Sequence, residues 1–109
     1  MPYDEPLAER IQALIGKHRG VTEKRMFGGL AFMLQGNMCC GVMQDRIMLR
    51  LGPEGVEAAL KEPHTAPMDF TGKPIKSMVY LWPEGYESDA DLERWVDTAV
   101  GFAKTLPPK

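Results

Sequence analysis

The chain has 109 residues, enough for one domain around one hydrophobic core. Apolar residues make up 44% and charged residues 26%, which excludes a disordered chain. A net charge of −2 excludes a generic polybasic nucleic-acid coat.

The N-terminal stretch Met1 to Pro6 is acidic and polar, so no secretion signal is expected. Asp4 to Arg19 predicts a helix, with Leu7, Ile11, Leu14 and Ile15 on one face. Asp4 fits its cap, Pro6 its first turn and Gly20 its stop. Val21 to Phe27 reads as a charged edge strand, followed by a bend at Gly28-Gly29. Strands are expected at Leu30 to Leu34, Met38 to Met43 and Arg46 to Leu51. Gln35-Gly36-Asn37 and Gln44-Asp45 are the turns between them. The longest nearly uncharged stretch, Met26 to Gln44, is broken by glycines and reads as a hairpin, so no membrane span is expected.

A short helix should run from Pro53 to Lys61. Glu62 to Lys76, with Pro63, Pro67, Gly72 and Pro74, reads as a long loop of the kind that carries function. Ile75 to Leu81 alternates as a further strand. The last helix begins near Ser88, whose spacing to Asp91 suits a capping box, and buries Leu92, Trp95, Val96, Ala99 and Ala103. The order is helix, three or four strands, helix, one or two strands, helix. This predicts an α+β fold: one domain over 1–109, with three helices on one face of an antiparallel sheet of four to five strands.

Leu30, Phe32 and Leu34 form one apolar face, yet Ala31 and Met33 opposite are apolar too. A sheet apolar on both sides needs cover on both sides. Helices supply one cover, and a second copy of the chain is the expected other, giving a homodimer. If Met38, Cys40 and Val42 face the core, Cys39 points outward. Met33, Cys39, Met43 and Met48 are therefore the candidate dimer surface.

Catalytic chemistry finds no support in the motifs. The two histidines, His18 and His64, are far apart, and no Cys-x-x-Cys or His-Glu-x-x-His occurs, so no metal site is expected. No phosphate-binding glycine motif or nucleophile elbow occurs, so neither a cofactor nor an enzyme activity is expected. Cys39 and Cys40 have no local activating group, and adjacent free thiols point to the reducing cytoplasm. Lys17, Arg19, Lys24 and Arg25 cluster in sequence, and Arg50, Lys73 and Lys76 could join them as a nucleic-acid surface. The competing reading of these charges is a solvated face and a protected sheet edge.

Several strings together resemble the TfoX N-terminal domain family. They are Glu23-Lys-Arg-Met-Phe-Gly-Gly-Leu-Ala-Phe32, Gly36-Asn-Met-Cys-Cys-Gly-Val42, Met48-Leu-Arg-Leu-Gly52 and Pro67-Met-Asp-Phe-Thr-Gly-Lys-Pro74. Trp95 and the ending Leu106-Pro-Pro108 suit its closing helix. The resemblance covers nearly the whole chain as an ordered set. It implies a fold similar to the secretion-chaperone arrangement and a relation to bacterial regulators of natural competence. In two-domain regulators a helical C-terminal domain follows, so a stand-alone form is expected here. It implies no catalytic residue. Arg25, Phe27, Gly28, Gly29, Asp69, Phe70 and Gly72 are the motif positions it singles out. The function expected is a non-enzymatic regulatory or adaptor module that contacts protein, with nucleic-acid binding as the alternative.

Overall fold

A computed structural model describes residues 3–26, 28–70 and 73–107. Its elements in chain order are α1 (Glu5–Ile15), β1 (Val21–Met26), β2 (Gly29–Leu34), β3 (Asn37–Met43), β4 (Arg46–Arg50), α2 (Gly52–Ala59), β5 (Thr65–Phe70), β6 (Lys73–Leu81), a 3-10 turn (Pro83–Gly85) and α3 (Asp89–Ala103). The strands form one antiparallel sheet in the order β1-β2-β3-β4-β6-β5. The α+β architecture and its three helices match the expectation; the sheet has six strands, not four or five. The extra strand lies where a long loop was expected. Thr65 to Phe70 pairs with Lys73 to Leu81, so most of Glu62 to Lys76 belongs to a hairpin. Pro67 within β5 masked the strand, and the structure places it where proline is tolerated, on the sheet edge beside a break in register.

Local chemistry sets the boundaries. The Asp4 carboxylate accepts from the Leu7 amide, and the Ser88 hydroxyl accepts from the Asp91 amide, so both long helices start on a capped turn. Gln35 and Gly36 both have positive φ, 52° and 85°, the pairing of a two-residue type I′ hairpin. Leu34 and Asn37 therefore face each other across the turn. At the β1–β2 hairpin, Gly29 lies so close to the Val42 carbonyl that any side chain would overlap it.

The main core lies between the three helices and one face of the sheet. Leu7, Ile11 and Ile15 of α1 and Leu92, Trp95, Val96 and Ala99 of α3 pack against Phe32, Leu34, Val42, Ile47, Leu49, Val79 and Leu81. Each of the larger side chains buried here contributes about 1.5–3 kcal/mol. Polar ties fix the layers. Arg10 of α1 donates to the Tyr86 carbonyl at 3.0 Å and pairs with Asp89 at 3.1 Å. The Tyr86 hydroxyl donates to the Asp45 carbonyl, which joins the start of α3 to the β3–β4 turn.

Candidate interaction site on the open sheet face

Paired residues of an antiparallel sheet share a face, so the register assigns every strand residue to one side. Opposite the helices, β2 presents Ala31 and Met33, and β3 presents Met38, Gly41 and Met43. From β4 come Arg46, Met48 and Arg50, and from β6 Met78 and Tyr80. Met68 joins from β5. Lys24 lies opposite Ala31 and so stands on the same face, at its exposed edge. All three helices contribute to the opposite core, and none contributes to this cluster.

Methionines close much of this surface on themselves. Met48 and Met68 are fully buried, while Met33, Met38 and Met43 are half-buried. Gly41 provides the room: a Cβ there would stand 2.8 Å from the Met48 methyl and 2.7 Å from the Leu30 carbonyl oxygen. At one end the Arg46 guanidinium lies 4.9 Å from the Tyr80 ring centre and 5.0 Å from that of Trp82. Its Nη2 donates to the Gln44 side chain at 2.6 Å, and its buried Nε has no partner. Arg50, at the other end, reaches the Met38 carbonyl at 3.5 Å. Three cations, Lys24, Arg46 and Arg50, thus frame an apolar centre. No carboxylate is placed on this face among the described side chains.

The outer surface of the helical side is the reverse. Glu5 and Glu9 of α1 and Asp89, Asp91, Glu93 and Asp97 of α3 are exposed there. Arg94 is the exposed cation within α3, so the helices present a mainly acidic side against the cationic frame of the open face.

Of the candidate dimer residues, Met33, Met43 and Met48 lie on the open face. Cys39 does not. Phe32 pairs with Cys40 and Met33 with Met38, which leaves Cys39 as the extra residue of a β-bulge. The bulge turns Cys39 and Cys40 to the same side, and both are fully buried in the helix-covered core. Met38, expected inside, takes the open face instead. The Cys40 thiol is pushed well above its ordinary value by the hydrogen bond with Cys39, then by burial and by the Cys39 charge. That shift opposes formation of a reactive thiolate. Among the described residues no group of three or more metal-ligating side chains converges. No helix among them is long and apolar enough to cross a membrane.

The family-like motif positions scatter. Arg25 is exposed on β1 and lies opposite Leu30, on the helix side of the sheet edge. Gly28, with φ of 73°, sits in the β1–β2 turn and Gly29 against Val42, so both shape the hairpin. Phe27 and Gly72 lie outside the described residues, as do the side chains of Asp69, Phe70, Lys73 and Lys76. The backbones of these last four place them near the tip of the β5–β6 hairpin. β2, β3 and β4 separate β1 from β6, roughly 19 Å at about 4.8 Å per strand. The strand directions also put Arg25 level with Leu81, away from the Lys73 end of β6. The two basic stretches therefore do not merge into one surface. The Arg46, Tyr80 and Trp82 stack was missed in the sequence, because it depends on the β4–β6 pairing of residues far apart in the chain.

The sheet with helices on one side defines an α+β domain with one sealed and one open face. The family model described as TfoX N-terminal domain matches residues 13–103, and the chain belongs to that family. No curated relative matches it.

Proposed function

We propose that the protein is a non-enzymatic regulatory or adaptor module that works by protein contact through its open sheet face. Family membership supports a regulatory or adaptor domain. The observation that carries the reading is the asymmetry of the sheet: one apolar side is sealed by three helices, and the other, rich in methionine, has no helix over it. Methionine suits a surface that adapts to a partner, because its side chain is unbranched and polarizable. Two unbridged thiols suit a reducing compartment, so the cytoplasm is the proposed site of action. A second copy of the chain, as a homodimer, is the competing occupant of the face.

Affinity capture from nuclease-treated native extract tests this function. The wild-type protein should retain a protein partner. A Met33→Glu, Met43→Glu double variant should lose it, and Asp97→Lys on the outer side of α3 should keep it. Equal capture by all three would refute the reading.

A further inference from the structure

We propose that the open face takes a segment of a partner protein that is apolar along one side and acidic along its margins. The inference rests on the face being a docking surface, and it names the chemistry of what docks. The centre of the face is Met33, Met38, Met43 and Met48 around the small residues Ala31 and Gly41. Such a centre accepts apolar side chains. Around it stand Lys24, Arg46 and Arg50, unopposed by any carboxylate placed on this face among the described side chains. The Arg46 guanidinium is held over Tyr80 and Trp82, so its direction is fixed before a ligand arrives. A planar guanidinium held in this way pairs with a carboxylate at low ordering cost.

The same inventory disfavours a second copy. Two open faces brought together by a twofold axis would gather two sets of cations into one interface with no placed carboxylate to offset them. The acidic helical side of another copy offers the right charge, but Leu60 is the one large apolar residue exposed among the described residues. The half-buried apolar residues of that side, Leu14, Val56 and Phe102, lie on three different helices and form no single row to seat on the methionines. Such a contact would also be head-to-tail and would not close. Nucleic acid meets the cations but not the centre, and Tyr80, a stacking surface in principle, is buried beneath Arg46.

The test is a titration of protein carrying 13C-labelled methionine methyl groups, read by NMR. The probes are a synthetic amphipathic peptide of about 18 residues, roughly five helical turns, with leucines on one side and glutamates on the other, its glutamate-to-lysine counterpart, and oligothymidylate. The acidic peptide should shift the Met33, Met38 and Met43 methyls, and Arg46→Glu or Arg50→Glu should weaken it by about tenfold or more. The lysine peptide should bind these charge-reversed variants better than it binds the wild type. Lys24→Glu, at the exposed edge, gives the same sign of effect if a change at Arg46 unfolds the sheet. Equal binding of both peptides, the same shifts with oligothymidylate, or methyl shifts that follow protein concentration as the mass doubles would each overturn the proposal. Silence with every probe also overturns it. Partner capture that depends on Met33 and Met43 would then leave the docking surface standing without this chemistry.

Discussion

The two faces of the sheet are both apolar, yet they are built from different residues. The helix-covered face uses Phe32, Leu34, Val42, Ile47, Leu49, Val79 and Leu81, mostly branched or aromatic side chains. The open face uses Met33, Met38, Met43, Met48, Met68 and Met78 with Ala31 and Gly41. Branched side chains have few rotamers and specify one packing; methionine has many and tolerates repacking. The difference teaches that apolarity alone does not assign a role. One face holds the fold together, and the other is soft enough to be remodelled, as the proposed docking requires.

Five perturbations break or sharpen this contrast, led by the largest expected effect. Phe32→Ala removes a fully buried ring from the sealed face and should cost about 3–5 kcal/mol in chemical denaturation. Met43→Ala, half-buried on the open face, should cost less than about 1.5 kcal/mol, well below a fully buried truncation. Equal losses would erase the distinction. Gly41→Ala pushes a methyl against Met48 and the Leu30 carbonyl and should cost about 1–3 kcal/mol. It should also move the Met48 methyl resonance while leaving Trp95 fluorescence unchanged.

Ser88→Ala should cost about 1 kcal/mol by uncapping α3, with no effect on the open face. The last concerns pH. Burial, then the Asp4 and Asp45 carboxylates, push the Tyr86 phenol up to about 12 against the opposing pull of Arg10. Its folded-state value is thus raised above the ordinary value of 10.0. The stability it contributes is full below the unfolded-state value and is lost as pH rises through the folded-state value. Stability should therefore decline from about pH 10 to 12, and Tyr86→Phe should flatten that decline. An unchanged slope would remove Tyr86 as its source.

Much of the fold was legible in local sequence. Asp4 and Ser88 announced the helix starts, and Gln35-Gly36-Asn37 announced the turn, although Asn37 already opens β3, because each acts within a few residues. The bulge at Cys39 was legible in principle. The two-residue turn sets Asn37 on the face of Leu34, and Val42 belongs to that same core face. Five steps separate Asn37 from Val42, and an odd number cannot keep both on one side by alternation. One residue had to be extra, and strict alternation from Val42 back to Met38 misplaced both Met38 and Cys39. β5 was hidden by Pro67, whose tolerance depends on edge position, a property of the whole sheet. Met33, Met43 and Met48 were found as candidates because the opposite phase of their strands was already apolar. Of the cationic frame, Lys24 and Arg50 were grouped as candidate cations, and Arg46 was missed. Lys24, Arg46 and Arg50 come together only through the strand order.

Docking at the open face is tested most directly by photo-crosslinking in the native cell. A photoreactive side chain placed at Met43, at Met33 or at Asp97 on α3 reports which side touches another protein. The two sheet positions should yield a discrete protein adduct and position 97 none. Adducts from position 97 alone would contradict a working surface on the methionine side.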